Sequence, residues 1–525
     1  MLNVLVHMVF CEQCGSKVAT GSLFCEECGS PVDVYESNEA YNSKGIFDIF
    51  SLEKLKELWS DISTQFKHCE YGFIVTRENA LISQLNCSSV DLRNKISDYI
   101  EKSESRGIKY IYVNLDTIPQ YDNSDENNSV KIVEAFRKIL DYARPKYLFL
   151  LGNEKIIDVV RWENKACDQD ADVFGDFAYS VLDTVSPWNG QSYNFEKAIR
   201  VGRLPSYNGQ TLKSFSSYFE TVNEHLASSK VQAYGLSAFT WKDESNYEFK
   251  NVSNKPVDTS PNIDENLVSS RIPIDSNLLF FNLHGSDNTK FWYGQDDDNY
   301  PSAFSPEILR ERAFPYILGV EACYGARYIG LTPNESILLT AMQNKCLAFL
   351  GSSKIAFGTS APMGSCADIV IGDFIKYMAQ GYSASDAHIL GLKRLMNGQH
   401  ITDAEIKTLA EFSLYGDPSI KIVRNSSIPK SSEMGKGINI VMPNIRNAIS
   451  MALTQVDSKI ESIIDDYVLK NDILQGELGS FHSKIFKMCN SNLYQKVYSK
   501  TGIIDQTVKV YFDSNGSVQK VLISK

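Results

Sequence analysis

Short, continuous apolar runs set the main limit on how this chain folds. Seven of them recur between polar segments: YGFIVT, IKYIYVNL, KYLFLLG, VQAYGLSAFT, LLFFNL, PYILGVE and CLAFLG. Most lack polar alternation, which is typical of parallel strands buried on both faces. Helical stretches such as SVKIVEAFRKILDYA and NESILLTAMQNK lie between them. The alternation predicts an α/β layered sheet.

Changes of pattern divide the chain, because 525 residues exceed one ordinary hydrophobic core. We predict a zinc ribbon at 9–32, a polar linker at 33–50, an N-terminal α/β subdomain at 51–225, a second α/β subdomain at 226–425 and a separate C-terminal α+β region at 426–525. In the last region, VKVYFDSNGSVQKVLIS predicts a hairpin that turns at Asn515-Gly516. The polar stretch 242–270 predicts loop and surface helix.

Two CxxC pairs near the N-terminus form the most specific short pattern in the sequence. The segment FCEQCGSKVATGSLFCEECGSP carries them at Cys11, Cys14, Cys25 and Cys28. Four thiolates close a tetrahedral shell and leave no position open for a substrate, so we predict one structural zinc ion. Redox disulfides or an iron–sulfur cluster are the alternatives. Acidic residues outnumber the one lysine here, so the expected partner of the ribbon is a protein.

The charge and the cysteine usage exclude several classes of partner and compartment. The formal net charge is −12, and no run of Lys or Arg could neutralise a phosphate backbone, so nucleic acid is not expected. The N-terminal apolar stretch 2–10 is far shorter than the roughly 20 residues of a spanning helix, and it lacks the features of a secretory signal. Most of the 11 cysteines stand singly, as in a reducing compartment. We expect a cytoplasmic protein without a membrane partner.

Two of the apolar runs lead into reactive residues. LLFFNL is followed by HGS with His284, and PYILGVE is followed by ACYG with Cys323. In an open parallel sheet, residues just past the carboxyl ends of the strands face one crevice. We therefore expect His284 and Cys323 to meet over one substrate.

A cysteine and a histidine brought together in this way suit thiol proteolysis. The thiolate attacks a carbonyl, the imidazolium protonates the leaving amine, and N–H groups stabilise the oxyanion. Gly285 allows close approach of the backbone, so we expect the N–H groups of Gly285 and Cys323 to be the oxyanion donors. Taken singly, such a cysteine is more often a small buried hydrophobe and such a histidine more often structural. Their joint position favours catalysis.

Six segments between residues 71 and 423 match motifs of one known family. In chain order they are KYLFLLGNEKII, DFAYSVLD, IRVGRLP, FFNLHGS, GVEACYG and SLYGDPSIKI. Together they resemble the gingipain branch of the caspase-like cysteine peptidases. The resemblance implies a caspase-like layered sheet with two adjacent α/β subdomains. It covers neither the ribbon nor the C-terminal region.

The resemblance also implies roles for individual residues. His284 would be the acid–base group and Cys323 the nucleophile, in an enzyme that cuts after a chosen side chain. In gingipains an acidic residue in the loop after the first catalytic strand binds a basic substrate side chain, which points here to Asp243 or Glu244. A solvated acidic loop is the alternative. Phe357 falls where gingipains carry an aromatic lid, with a core position as the alternative. The family's acidic partner of the histidine has no clear match.

The sequence thus predicts a cysteine endopeptidase that forms a thioester acyl-enzyme, cuts after Arg or Lys and acts in regulated intracellular proteolysis. The alternative is a caspase-like scaffold or binding protein that has lost its chemistry. No metal is expected in the chemical step. The acidic run Asp296 to Asn299 offers calcium ligands, but without EF-hand spacing it is more typical of a solvated loop.

Overall fold

The computed structural model describes residues 9–10, 17–18, 69–117, 129–189, 193–359, 364–398, 401–424, 482–487, 494–500, 504–513 and 518–525. Strands β1 (Val9–Phe10) and β2 (Lys17–Val18) pair antiparallel. The predicted zinc ligands Cys11, Cys14, Cys25 and Cys28, the linker and the Asn515-Gly516 turn lie outside the described residues.

Most of the described strands belong to one large sheet. The strands that follow β2 in the chain are β3 (Glu70–Thr76), β4 (Ile108–Asn114), β5 (Tyr147–Leu151), β6 (Val160–Glu163), β7 (Asp172–Gly175), β8 (Arg200–Leu204), β9 (Ala233–Ala238), β10 (Asp258–Ser260), β11 (Leu278–Asn282), β12 (Trp292–Tyr293), β13 (Ser302–Phe304), β14 (Tyr316–Val320), β15 (Cys346–Ser352), β16 (Phe357–Gly358) and β17 (Phe412–Gly416). Ten strands of the described residues form this sheet, in the order β10-β9-β11-β14-β15-β17-β8-β5-β3-β4.

The sheet is parallel apart from the antiparallel contact between β15 and β17. All seven predicted strands are present in it. Strands β11, β14 and β15 are buried along their whole length, as expected for runs covered on both faces. The α/β layered fold predicted from the sequence is therefore confirmed.

Helices connect these strands and cover them. The described helices are Glu78–Leu85, Ser89–Glu104, Ser129–Tyr142, Phe177–Val181, Leu212–Glu224, Lys242–Phe249, Glu265–Arg271, Pro306–Arg310, Ile337–Gln343, Ala367–Ala379, Ala384–Leu395 and Asp403–Glu411. Several begin at a side chain that caps the first turn; Thr402 and Glu405 form a complete capping box. No helix among the described residues is long and apolar enough to span a bilayer.

The two halves of the sheet meet where β8 lies beside β17. Tyr415 pairs with Arg203 across this boundary. The Arg203 guanidinium is fully buried and donates two hydrogen bonds, of 2.8 and 2.6 Å, to the carboxylate of Asp176. A buried charge needs such a partner, and a planar guanidinium binds a carboxylate through two donors at once. The pair fixes Asp176 beside β8, and the backbone N–H of Asp176 donates a 3.1 Å hydrogen bond to the Ser413 hydroxyl on β17, across the boundary.

The C-terminal region adds a second sheet to the first. Its strands are β18 (His482–Lys487), β19 (Tyr494–Lys500), β20 (Gln506–Phe512) and β21 (Val518–Ser524). Among the described residues they form a five-stranded antiparallel sheet with β16, in the order β16-β21-β20-β19-β18. The predicted pairing of the last two strands as a hairpin is confirmed. The sequence did not indicate that β21 would pair with a strand of the second α/β subdomain.

A buried ion cluster attaches this second sheet to the rest of the molecule. The ammonium of Lys509, on β20, lies 3.2 Å from a carboxylate oxygen of Asp168, and Lys407 lies 2.9 Å from the same oxygen. Burial raises the pKa of Asp168, but the two ammonium groups outweigh it and lower the pKa to about 2. On β21, Lys520 lies 2.6 Å from Glu405. Two lysines of the C-terminal sheet thus pair with carboxylates outside the sheet, and these pairs attach it to the rest of the molecule.

Candidate active site

His284 and Cys323 follow neighbouring parallel strands at matching positions. In the β11–β14 register, Phe281 pairs with Val320, and the two reactive residues each lie three positions further on. Their backbones nearly touch, because a Cβ added to Gly285 would lie 1.8 Å from the carbonyl oxygen of Cys323. Only glycine permits that approach. The strand ends thus place the backbones of residues 284 and 323 side by side at one edge of the sheet.

The backbone after β14 turns sharply. The Gly325 N–H donates a hydrogen bond of 3.0 Å to the carbonyl oxygen of Ala322. The left-handed backbone conformation falls on Tyr324, with φ of 52°, and not on a glycine. The Tyr324 hydroxyl donates a 2.6 Å hydrogen bond to Asp170, which holds this unusual conformation in place.

A glutamine holds the ring of His284. The Nε2 atom of His284 lies 2.7 Å from Oε1 of Gln295. The amide nitrogen of Gln295 donates to the carbonyl oxygen of Asp297 at 3.1 Å and to the Tyr300 hydroxyl at 2.9 Å, so its oxygen faces the ring. Nε2 therefore carries the proton in the neutral ring, and Nδ1 is the basic nitrogen. Nδ1 is buried and has no hydrogen-bond partner among the described residues.

The surroundings of His284 favour its neutral form. The ring is fully buried, with its centroid 4.3 Å from that of Trp241 and 5.5 Å from that of Tyr300. Burial lowers the pKa of His284 to about 3; the hydrogen bond that the ring donates to Gln295 opposes this shift, and the positive charge of Lys525 adds to it. In this conformation the imidazole stays uncharged at neutral pH.

The thiol of Cys323 is also shielded. The residue is 5% exposed, and its sulfur lies 3.5 Å from the carbonyl oxygen of Ala356 as a weak donor. Burial raises the pKa of the Cys323 thiol above its usual range. The backbone N–H of Cys323 donates a 3.1 Å hydrogen bond to the main-chain oxygen of Lys525. An N–H beside the sulfur is where a cysteine peptidase stabilises its oxyanion.

Next to Cys323 lies a pocket with three buried carboxylates. Glu244, Glu321 and Asp368 offer oxygen atoms that all lie within 4.8 Å of one another, and each residue is fully buried. Burial and the neighbouring Asp368 raise the pKa values of Glu244 and Glu321 well above their usual range. Carboxylates this close repel one another, so the pocket favours a bound cation.

The side chain of Lys525 supplies that cation. Its Nζ lies 3.1 Å from Asp368, 3.7 Å from Glu321 and 3.9 Å from Glu244. It also lies 4.3 Å from the ring centroid of Trp241, in cation–π geometry. Burial lowers the pKa of the Lys525 ammonium, but the three carboxylates outweigh it and raise the pKa. The pocket thus holds a lysine in its charged form.

Comparison with known proteins now gives the family. The family model described as Peptidase family C25 matches residues 73–423, about two thirds of the chain. The chain belongs to peptidase family C25. This assigns it as a cysteine-type endopeptidase with the caspase-like α/β fold. No curated protein gives a significant match.

Several solved structures are similar to this C25 chain at low identity. "Crystal structure of the Arg specific cysteine proteinase gingipain R (RGPB)" has 10% identity and a TM-score of 0.47, with 87% of this chain and 91% of that chain covered. "Complex of Porphyromonas gingivalis RgpB pro- and mature domains" has 10% identity and a TM-score of 0.46, covering 86% and 98%. "Structure of Protease" has 11% identity and a TM-score of 0.44, covering 87% and 97%.

The residues predicted to select the substrate separate in space. Glu244 lies in the carboxylate pocket, whereas its neighbour Asp243 is exposed. Phe357 is buried on β16, with its ring 3.8 Å from the Lys509 ammonium, and it packs in one apolar cluster with Cys323. The aromatic ring that contacts the Lys525 ammonium in the carboxylate pocket is that of Trp241.

Sequence reasoning missed four residues of this C25 site: Trp241, Gln295, Glu321 and Asp368. Glu321 carried a usable signal, because it is an acidic residue at the end of an apolar run and only two positions before Cys323. Trp241 carried a weaker signal beside the acidic pair. The acidic run considered for calcium forms an exposed turn, in which Asp296 and Asn299 exchange two backbone hydrogen bonds.

Proposed function

We propose that this chain hydrolyses peptide bonds through a Cys323–His284 dyad and cuts after a basic residue, lysine in preference to arginine. The observation that carries this proposal is the buried carboxylate pocket around Lys525, the residue whose main-chain oxygen accepts a hydrogen bond from the Cys323 N–H. A pocket of this kind selects a cationic side chain and places the following peptide bond at Cys323.

The proposed chemical steps use one thiol, one imidazole and two backbone N–H groups. The Cys323 thiol gives its proton to Nδ1 of His284, and the thiolate attacks the carbonyl carbon of the substrate. The oxyanion accepts a hydrogen bond from the Cys323 N–H, with the Gly285 N–H as the second expected donor. The C–N bond breaks as the imidazolium protonates the leaving amine. Water then hydrolyses the thioester, which returns the thiol and the neutral imidazole.

Lysine suits the pocket better than arginine for a geometric reason. The three carboxylates come from separate elements and converge on one point, which matches a compact ammonium. A guanidinium is planar and pairs best with one carboxylate through two donors. The backbone of Gly358 closes one side, since a Cβ there would lie 2.1 Å from Cε of Lys525. Little width remains for the guanidinium fork.

Matched substrates test the proposal. The purified full chain and its Cys323→Ala variant would be assayed with peptides that differ only in the residue before the cut: Lys, Arg, Ala or Asp. We expect kcat/KM to be highest for Lys, lower for Arg and negligible for the others, with no cleavage by the variant. Cleavage only after Ala or Asp, or an equal rate in the variant, would overturn the proposal.

A catalytically inactive scaffold is the second candidate, and the shielding of Cys323 favours it. The two candidates differ in the reactivity of the thiol. A peptidase requires selective alkylation of Cys323 that slows in a His284→Ala variant. A scaffold predicts slow alkylation of all cysteines, with no dependence on His284.

We also propose a cytoplasmic setting and a ribbon that holds one structural zinc and binds a protein partner. The support is the pattern of Cys11, Cys14, Cys25 and Cys28. Metal analysis of the purified chain should give one zinc per chain, and a Cys11→Ser/Cys14→Ser double variant should lose it. Peptide hydrolysis should be unchanged by that loss, because no metal takes part in the proposed chemical step.

A further inference from the structure

We propose that β21 and Lys525 occupy the substrate groove as a substrate mimic built into the chain, with Lys525 in the position of the residue before the cut. This inference rests on the proposed function for the meaning of the groove. It adds the binding mode of a substrate to that function. It also implies that Lys525 blocks the active site until β21 leaves the groove. Three independent sets of contacts support it.

The first set is the main chain. β21 pairs antiparallel with β16, with Ser524 opposite Phe357 and Ile523 opposite Gly358. The Lys525 N–H donates a 3.0 Å hydrogen bond to the carbonyl oxygen of Ala356. An extended substrate docks on an exposed strand in the same way, with backbone bonds giving affinity and alternate side chains giving specificity.

The second set is at the reacting position. The main-chain oxygen of Lys525 accepts the hydrogen bond from the Cys323 N–H, which is where the carbonyl oxygen of a scissile bond would lie. The side chain of the same residue fills the carboxylate pocket and is fully buried there. One residue thus meets both the oxyanion donor and the selectivity pocket.

The third set holds the C-terminal sheet in place away from the groove. The Thr507 hydroxyl donates a 3.0 Å hydrogen bond to Gln169, in addition to the Lys509–Asp168 and Lys520–Glu405 pairs. These contacts do not depend on the pocket. They keep Lys525 at a high effective concentration beside Cys323.

The same sheet also reaches the histidine side of the site. The Tyr300 hydroxyl donates a 3.0 Å hydrogen bond to Gln506 on β20 and accepts one from Gln295, which in turn contacts His284. The C-terminal sheet is therefore connected to both members of the dyad, to Cys323 directly and to His284 through two side chains.

The arrangement is suited to opening without release of the whole sheet. Only two residue pairs join β21 to β16, whereas β20 and β21 pair over most of their length. The end of β21 can leave the groove while the anchoring charge pairs stay intact. A substrate with lysine before the cut would then take the place of Lys525 on β16.

The test measures access to Cys323 in the full chain. Lys525→Ala removes the side chain from the pocket, and Gln519→Ala, at an exposed position of the same strand, is the control. We expect Lys525→Ala to speed alkylation of Cys323 by iodoacetamide on the order of tenfold, and Gln519→Ala to change it by less than about twofold. Equal rates in wild type and Lys525→Ala would overturn the proposal. Thermal unfolding midpoints identify a variant that fails to fold.

A peptide added in trans keeps the proposal testable by a second route. The synthetic peptide VQKVLISK, which copies residues 518–525, should slow alkylation of Cys323 in the Lys525→Ala chain, whereas VQKVLISA should not. Equal protection by the two peptides, or none by either, would contradict the inference. Alkylation does not require peptide hydrolysis. Faster alkylation of the Lys525→Ala chain without any cleavage of lysine peptides would support the substrate mimic and contradict the proposed function. Cleavage of lysine peptides with no change in alkylation would support the proposed function and contradict the substrate mimic.

Discussion

The main-chain oxygen of Lys525 accepts a hydrogen bond of 3.1 Å from the backbone N–H of Cys323, although 202 positions separate the two residues. The contact joins the C-terminal sheet to the end of β14. It also places Lys525 where we propose that the substrate residue before the cut would bind. Substitutions of the residues around this contact can assign a role to each of them.

Glu244 and Asp243 are adjacent acidic residues with opposite surroundings, so they form a matched pair. Glu244→Gln keeps the shape of a pocket residue but replaces one carboxylate oxygen by an NH2 group that cannot accept a hydrogen bond from an ammonium, and we expect kcat/KM for lysine peptides to fall about 10- to 100-fold. Asp243→Asn changes an exposed side chain and should leave kcat/KM unchanged. Steady-state kinetics on one lysine substrate measure both. Similar losses in the two variants would argue against the pocket.

Gly358 forms the wall beside the lysine side chain. Gly358→Ala should lower kcat/KM for lysine peptides on the order of 100-fold, because its Cβ would lie 2.1 Å from Cε of the bound lysine. The same variant should expel Lys525 and speed alkylation of Cys323. Gly398→Ala, at an exposed position, is the control and should change neither rate. A Gly358→Ala enzyme with normal lysine cleavage would exclude this pocket.

Gln295 is expected to act by positioning His284. Gln295→Ala should lower kcat about 10- to 100-fold with little change in KM. The pH profile should also move to lower pH, because the lost hydrogen bond is one that raises the pKa of His284. Tyr300→Phe keeps the contact between Gln295 and the ring, so it should retain most of the activity. An unshifted profile in Gln295→Ala would reduce Gln295 to a purely structural role.

The stability of the folded chain should depend on the charge of His284. Its pKa is about 3 when folded, below the value of about 6.5 for an unfolded chain, so the stabilisation is complete above pH 6.5 and is lost as the pH falls towards 3. Each pH unit in this window should cost the wild type about 1.4 kcal/mol more than a His284→Asn variant. Urea unfolding at pH 7, 5 and 4 measures the difference, and parallel pH dependence in the two proteins would contradict it.

The sheet could be predicted because its signals are local. Runs such as LLFFNL and PYILGVE are too apolar to lie anywhere but in a buried sheet, and parallel strands end at a common edge. The expectation that residues 284 and 323 follow neighbouring strands agrees with the register. The register then adds what sequence could not give, a backbone contact between Gly285 and Cys323.

The pocket could not be predicted, because its members come from distant parts of the chain. Asp368 follows the start of a helix, Gln295 lies in a loop, and β21 arrives from the far end of the sequence. No spacing rule links these segments. The apolar alternation of β21 predicted a strand correctly, but nothing in it indicated which strand edge it would join.

A covalent probe can show whether Cys323 is the nucleophile of a lysine-selective site. Peptide acyloxymethyl ketones carrying lysine or aspartate before the reactive group would be added to the Lys525→Ala chain, and the modified residue found by mass spectrometry. We expect an adduct on Cys323, formed much faster with the lysine probe and slowed by His284→Ala. An adduct on another cysteine, or equal rates for the two probes, would contradict it.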